Sequence, residues 1–246
     1  MSNNLSERQE TLLNHLNELR IRATWALVSL AIGTTLSFIF AEDILQFLSS
    51  RSPISLTAIT PSEPLQAYFK VSLMAGGIIS MPLILYQLWL FITPGLEKNE
   101  KRTVYVFVPS ATILFLAGVA FTWYVLLPAA LNFLANFLKE VVIADWTMQE
   151  YIGFVTGFLF WIGVSFEMPL IFYFLGRAGI LQASALRENW RIAVVGIAVA
   201  AAIITPSVDP VTMLLTMAPM IILFILSIFL TGIGYRQYSR SGSDDN

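Results

Sequence analysis

The sequence predicts an all-α, polytopic membrane protein with six transmembrane helices. Of its 246 residues, 57% are hydrophobic and only 12% are charged, whereas a soluble domain has about 25% charged residues. The charges fall mainly between long apolar runs. The longest polar stretch, 42–70, is too short to fold as a separate soluble domain. The chain is therefore expected to form a single membrane domain.

The apolar runs have the lengths expected of membrane helices, since a bilayer core of about 30 Å requires about 20 helical residues. The predicted spans are 23–41, 71–93, 103–138, 152–176, 192–205 and 210–233. Residues 1–22 then form an N-terminal segment, 23–233 the membrane domain and 234–246 a C-terminal tail. The N-terminal segment contains Glu7, Glu10 and Glu18 and is too acidic for a cleaved signal peptide, so the first span is expected to remain.

Prolines and span lengths predict irregular helices. Pro128 is expected to end or break the third helix before a short amphipathic stretch, and Pro169 to loosen the fourth around Ser165, because proline has no N–H. The recurrence of proline at 82, 109, 169 and 219 predicts kinks and a concave shape.

The fifth span is unusually short. As a helix, 192–205 would cover only about 21 Å, so it predicts a short hairpin with the sixth span. The alternative is that its ends lie a few residues outside the apolar run.

The distribution of lysine and arginine predicts the orientation. With both termini on one side, that side carries eleven of the 14 basic residues. They are Arg8, Arg20, Arg22, Lys98, Lys101, Arg102, Arg177, Arg187, Arg191, Arg236 and Arg240. The other side has only Arg51, Lys70 and Lys139. Because basic loops stay in the cytoplasm, both termini are expected to be cytoplasmic, or stromal in a thylakoid.

Glu167 is the strongest candidate for a functional residue. It is the single charge in the apolar run 151–176, and a carboxylate at that depth costs several kcal/mol unless it is neutralised or paired. Its own helical neighbours offer no partner, whereas Gln87 in the second span lies at a similar depth. The alternative is a purely structural hydrogen bond between two helices.

Two other carboxylates lie on the predicted cytoplasmic side. Glu18 precedes the first span and either pairs with Arg22 four residues later or binds a basic ligand. Glu100 lies in a basic loop with no opposite charge at helical spacing, which suits an external cation. On the outer side, Asp209 either caps the sixth helix or has a functional role, and Glu63 is expected to cap a helix or face the surface.

The sequence offers no sign of an enzyme. It has no cysteine, which excludes disulfides and thiol chemistry, and its single histidine, His15, does not make a metal site. It lacks the Gly-x-x-x-x-Gly-Lys phosphate-binding motif and any nucleophile–base pair. We therefore expect no catalytic residue, no cofactor and no metal.

Several motifs occur together, in an order that resembles the TatC family, the receptor of the twin-arginine protein translocase. They are His15-Leu16-x-Glu18-Leu19-Arg20, Thr60-Pro61-x-Glu63, Leu85-Tyr86-Gln87-x-Trp89, Phe91-x-x-Pro94-Gly95-Leu96-x-x-x-Glu100-Lys101-Arg102, Gly163-Val164-Ser165-Phe166-Glu167-x-Pro169 and Thr205-Pro206 with Asp209. The resemblance covers residues 11–235, and short fifth and sixth helices are a trait of the family.

The resemblance implies a function and its residues. TatC proteins bind twin-arginine signal peptides of folded cargo, assemble with further TatC copies and single-span TatA and TatB subunits, and work with the proton-motive force. The signal-binding residues match Glu18 and Glu100, with Arg20, Lys101 and Arg102 beside them. The polar positions within the membrane match Glu167, Gln87 and Asp209. A polar position of some relatives is Met213 here, a departure at the outer contact.

Two other functional classes remain open from the residues alone. One is a proton-coupled secondary transporter with Glu167 as its protonation site, although the sequence has no inverted repeat and no second charge inside a span. The other is a structural membrane scaffold with no ligand. Binding of a signal peptide separates the first interpretation from both alternatives, and solute uptake into proteoliposomes tests the transporter.

Overall fold

The computed structural model describes residues 2–92, 101–137, 139–141, 145–205 and 209–244, and they are almost entirely helical. The helices are α1 (Ser2–Ser37), α2 (Ala41–Ser49), α3 (Glu63–Ile92), α4 (Lys101–Phe121), α5 (Leu127–Asn136), α6 (Met148–Ser165), α7 (Met168–Arg177), α8 (Ala183–Glu188), α9 (Trp190–Ile204) and α10 (Pro210–Asp244). Two short strands, β1 (Leu56–Thr57) and β2 (Trp146–Thr147), pair in parallel. This pair is the one addition to the predicted all-α fold in the described chain.

Five helical segments of the described chain are long and apolar enough to cross a membrane. They are Leu16–Ser49, Glu63–Phe91, Phe107–Asn136, Met148–Arg177 and Pro210–Ser239. The remaining apolar helix, α9, has 15 residues, or about 22 Å at 1.5 Å per residue. The prediction of a membrane protein with a short fifth apolar helix is confirmed.

The prediction of a short sixth helix is wrong. Helix α10 has 35 residues, because the chain after the apolar run continues as a helix through the segment that was expected to be a separate tail. The N-terminal segment is also helical, since α1 begins at Ser2 and runs without interruption into the first span. Both segments remain helical beyond the apolar runs, because hydropathy marks where a helix leaves the bilayer and not where the helix itself ends.

Helix α3 begins eight residues before its predicted start because Glu63 caps it. The Glu63 Oε1 atom accepts hydrogen bonds from the backbone N–H of Thr60 at 3.1 Å and from its hydroxyl at 3.2 Å. A Thr-x-x-Glu sequence with the glutamate bonded back to the first N–H is a capping box. The expected capping role of Glu63 is confirmed, although its side chain is buried rather than on the surface.

Pro169 and Pro128 interrupt their helices where the sequence predicts, whereas Pro82, Pro109 and Pro219 lie inside continuous helices. Helix α6 ends at Ser165 and α7 begins at Met168, because Pro169 cannot donate a hydrogen bond to the Ser165 carbonyl. Before Pro128 the third span forms a π-helical turn, Thr122–Leu126, in which the N–H of Leu127 donates to the carbonyl of Thr122. The helix then resumes as α5, so Pro128 interrupts the span without ending it.

Helices α1 and α3 cross at small residues. A Cβ atom added to Gly33 would lie 2.7 Å from the Gly76 carbonyl oxygen, so the two backbones are in contact. The Ser80 hydroxyl donates a 2.8 Å hydrogen bond to the Ser29 carbonyl across the same crossing. Small residues four positions apart on both helices allow this close approach, which membrane helices use for packing.

Helices α7 and α10 cross in the same manner. A Cβ on Gly176 would lie 2.6 Å from the Thr231 carbonyl oxygen, and one on Gly234 would lie 2.4 Å from the Tyr173 carbonyl oxygen. The Thr231 hydroxyl also donates a 3.2 Å hydrogen bond to the Phe172 carbonyl. The half of the fourth span that follows Glu167 is thereby fixed against α10.

An aromatic cluster joins the end of α3 to α4 and α7. The rings of Trp89, Phe107 and Phe174 are buried, and their centroids lie 3.6 to 4.4 Å apart. The cluster brings the end of α3 beside α4. The connecting segment, which contains Glu100, lies outside the described residues.

Candidate functional site

A polar cluster lies at the end of α3 that leads to the Glu100 segment. Glu18 and Arg22 are one helical turn apart on α1, with Glu18 Oε1 and Arg22 Nη2 3.6 Å from each other. The Arg22 Nη1 group donates a 3.5 Å hydrogen bond to Oε1 of Gln87 on α3. Arg22 therefore links a carboxylate on the first span to an amide on the second.

The contact between Glu18 and Arg22 is a loose one. The two side chains are 31% and 30% exposed, and their closest charged atoms are 3.6 Å apart. An ion pair this exposed contributes only about 0–1 kcal/mol. The expected pair between Glu18 and Arg22 is confirmed. The binding role of Glu18 stays a prediction.

Three other residues predicted for cytoplasmic binding lie in described helices. Arg20 is exposed on α1, two residues from each member of the Glu18–Arg22 pair. Lys101 and Arg102 form the first turn of α4. Glu100 precedes them, and its expected position near Glu18 lies outside the described residues.

Glu167 lies at the break between α6 and α7, where it is buried with 3% of its surface exposed. Its backbone N–H donates to the Val164 carbonyl at 3.0 Å, and its own carbonyl accepts from Ile171 at 3.0 Å. Its side-chain Oε1 atom has no hydrogen-bond partner. The break therefore holds a buried carboxyl group with one oxygen that accepts no hydrogen bond from the described residues.

The expected pairing of Glu167 with Gln87 does not occur in the described chain. Gln87 accepts its hydrogen bond from Arg22 instead. The prediction paired Glu167 with Gln87 because the two residues lie at a similar depth in the membrane. It assigned Arg22 to the segment before the first span, but α1 continues as a helix through that segment and places Arg22 beside α3. Gln87 thus belongs with Glu18 rather than with Glu167.

The replacement Glu167→Leu is expected to leave the protein folded with equal or greater thermal stability. A buried polar atom without a partner costs about 1–3 kcal/mol, and leucine removes it. Thermal unfolding of the purified protein in detergent measures the effect, with Glu167→Gln as the control that retains a polar side chain. A clear decrease in melting temperature for Glu167→Leu alone would show that the carboxyl group has a structural role.

Asp209 caps helix α10. Its Oδ1 accepts a 2.7 Å hydrogen bond from the Thr212 backbone N–H, and its Oδ2 accepts from the Thr212 hydroxyl. Pro210 follows as the first helical residue, where its missing N–H is not needed. The expected capping role of Asp209 is confirmed. The functional role that was also considered for Asp209 stays a prediction.

Asp209→Ala is expected to destabilise the protein by about 0.5–2 kcal/mol, because the first turn of α10 loses its acceptor. Asp209→Asn retains an oxygen acceptor and should keep most of that stability. The measurement is the melting temperature of the three proteins in the same detergent. Equal losses in both variants would indicate that the negative charge, rather than the cap, is what matters at this position.

One basic residue of the membrane domain, Lys70, was not among the predicted site residues. Lys70 was used only to assign orientation, but it lies on α3 against Gly153 of α6, where a Cβ would be 3.0 Å from the Lys70 Nζ atom. A signal was present, since Gly153 and Gly157 are spaced by four residues and leave room on one face of α6. The partner helix could not be inferred from the sequence.

The apolar helices, the short α9 and the buried Glu167 together define an integral membrane protein with several membrane-crossing helices. A family profile described as "Sec-independent protein translocase protein (TatC)" matches residues 14–219. The chain belongs to the TatC family. Proteins of this family are components of a protein translocase and are not enzymes.

Relatives occur in bacteria and in chloroplasts. The "Sec-independent protein translocase protein TatC" of Koribacter versatilis is 38% identical over 88% of this chain and 83% of its own length. The "Sec-independent protein translocase protein TATC, chloroplastic" of Arabidopsis thaliana is 35% identical over 89% of this chain. This chain spans 65% of the length of the Arabidopsis protein.

The fold is also that of a solved relative. A crystal structure of the twin-arginine translocase receptor TatC superimposes with a TM-score of 0.82 and is 34% identical. The match covers 89% of this chain and 99% of the other. The resemblance inferred from the motifs is therefore confirmed at the level of family and fold.

Proposed function

We propose that this protein is the receptor subunit of a twin-arginine translocase and binds the signal peptides of folded cargo at the cytoplasmic face. The observation that carries the proposal, beyond membership of the family, is the geometry of Glu18. It is a partly exposed carboxylate at one end of the membrane domain, and its only ion-pair partner among the described residues is the loosely held Arg22.

The chemistry of two arginines suits two carboxylates. A guanidinium group can form two parallel hydrogen bonds with one carboxylate, whereas a lysine ammonium group cannot form this planar contact. Glu18 and Glu100 would each hold one arginine of the signal. When a signal arginine takes the place of Arg22, the amide of Gln87 still accepts a hydrogen bond from Arg22.

The basic residues around these carboxylates would provide selectivity. Arg20, Lys101 and Arg102 lie within two residues of Glu18 or Glu100 in the sequence. Their positive charge should repel basic peptides that do not engage both carboxylates, so binding requires the correct geometry as well as charge.

The proposed topology has six membrane helices, with α9 as the short fifth span and both termini in the cytoplasm. Eleven of the 14 basic residues then face the cytoplasm. The kinked helices would give a concave membrane domain. The membrane is the cytoplasmic membrane of a bacterium or the thylakoid membrane.

The residues within the membrane are proposed to receive partners. A polar group of a single-span TatA- or TatB-type subunit, or of the signal peptide, would hydrogen-bond to the unpartnered Oε1 of Glu167. Asp209 would contribute a second polar contact at the outer end, where Met213 replaces the polar group of some relatives. Gln87 is assigned to the Glu18 site by its contact with Arg22. Assembly with further copies and the proton-motive force would then support export.

Export in living cells tests the proposal. The chain is expressed with its TatA/TatB-type partners in bacteria that lack their own TatC, together with a folded fluorescent reporter that has a twin-arginine signal. We expect the reporter to be exported, and a reporter with two lysines in the signal to remain in the cytoplasm. Export of neither reporter, or equal export of both, would contradict the proposed receptor role.

A further inference from the structure

A groove runs between α3 and α6, apart from the residues proposed for signal binding. It consists of two connected cavities of about 510 and 400 Å³ that share Lys70 and Gly153 in their walls. The first cavity lies towards the start of α6 and the second continues along the two helices to Gly77 and Phe160. We call this feature the α3–α6 groove.

The two ends of the groove differ in chemistry. The first cavity has the polar side chains of Lys70, Glu150 and Gln149 in its wall, beside apolar ones from Leu131, Leu134 and Phe154. The second is lined almost entirely by apolar groups from Leu30, Leu73, Met74, Gly77, Gly157 and Phe160. Lys70 lies at the boundary, seven residues from the start of α3, or about 10 Å along the helix axis. The groove therefore has two charged side chains at the end near the start of α6 and continues as an apolar stretch.

Lys70 is not neutralised by the described chain. Within the described part of the chain, no carboxylate lies within salt-bridge distance of the Lys70 ammonium group. Glu150 lines the same cavity and is likewise unpaired in the described part. Both side chains are exposed, so the ammonium group of Lys70 can meet an anionic group of a ligand and the carboxylate of Glu150 can meet a cationic one.

The apolar end extends along the two helices. Seven residues separate Gly153 from Phe160, which is about 10 Å of helix. Leu73, Met74 and Gly157 line this stretch. A charged end followed by an apolar stretch matches an amphiphile that has a charged headgroup and an acyl chain.

We propose that the α3–α6 groove binds a zwitterionic phospholipid. Its phosphate would contact Lys70, its headgroup ammonium would lie near Glu150, and one acyl chain would lie against Gly157 and Phe160. The site is separate from the Glu18 cluster and does not depend on the proposed receptor function.

Native mass spectrometry of the full chain in detergent, titrated with phosphatidylethanolamine, tests the proposal. Lys70→Gln should weaken retention of the lipid about tenfold, because the phosphate loses its counter-charge. Gly157→Leu should weaken it to a similar degree by filling the groove. An added Cβ at Gly157 meets no atom within 4 Å, so this variant should fold normally.

Two matched variants serve as controls. Lys139→Gln removes another basic residue of the same predicted side, and Gly196→Leu adds the same side chain at a glycine on α9 that also has no neighbour within 4 Å of an added Cβ. Both should retain the lipid as the unmodified protein does. Unchanged retention in Lys70→Gln and Gly157→Leu would overturn the proposal.

Two further outcomes would also overturn it. If Lys70→Gln weakens binding but Gly157→Leu does not, the site binds a phosphate group without an acyl chain. If Gly157→Leu removes a second copy of the chain from the spectrum while lipid retention is unchanged, the groove is a protein-docking surface.

Discussion

Charge reversal at either proposed signal-binding carboxylate is expected to abolish export of twin-arginine cargo. Glu18→Lys and Glu100→Lys each replace the group that would hold one signal arginine with a like charge. Glu18→Lys also places this charge beside Arg22, which lies 3.6 Å from Glu18 in the folded protein. We expect the affinity for the signal peptide to fall about 100-fold or more in each variant, or about 2.7 kcal/mol.

The reporter assay in cells measures this effect, with membrane insertion checked by fractionation. Glu97→Lys is the matched control, because it makes the same charge change in the same basic segment three residues from Glu100. That control should retain export. Normal export in Glu18→Lys or Glu100→Lys would show that the altered residue is not part of the binding site. Loss of export in all three variants would indicate a general effect of charge.

A larger side chain at the α7–α10 crossing should have the largest effect on stability. In Gly176→Leu, the Cβ would lie 2.6 Å from the Thr231 carbonyl oxygen, a backbone atom that cannot rotate away. The two helices must separate, and the Thr231 hydrogen bond to the Phe172 carbonyl is then lost. We expect a cost above about 3 kcal/mol, beyond the usual range for an overpacked core position.

The melting temperature in detergent and the amount of protein in the membrane measure this cost. Gly196→Leu is the control, since its added side chain meets no neighbouring atom within 4 Å of the Cβ, and it should resemble the unmodified protein. If Gly176→Leu unfolds at the same temperature as that control, the close contact of α7 with α10 would be contradicted.

The features that the sequence predicts well are those that depend on local chemistry. The apolar runs identify the membrane helices because the bilayer requires a minimum length of apolar helix. Pro169 predicts the break between α6 and α7 because the missing N–H acts within its own helix. Asp209 and Glu63 were identified as candidate caps because their partners lie within three residues.

The features that the sequence does not predict depend on contacts between helices. Gln87 was paired with Glu167 by depth, but rotation of α3 about its axis places it against Arg22 instead. The groove beside Lys70 arises from the way two helices pack, which no pattern within either helix records. The length of α10 was missed because hydropathy marks the end of the bilayer and not the end of a helix.

Binding of a labelled twin-arginine signal peptide to the purified protein in nanodiscs tests the receptor function most directly. The comparison is with the same peptide carrying two lysines and with the Glu100→Gln variant. We predict saturable binding of the arginine peptide that is lost in both comparisons, because a lysine or a neutral amide cannot complete the bidentate pair. Equal binding of the two peptides, or binding of neither, would contradict the proposed receptor site.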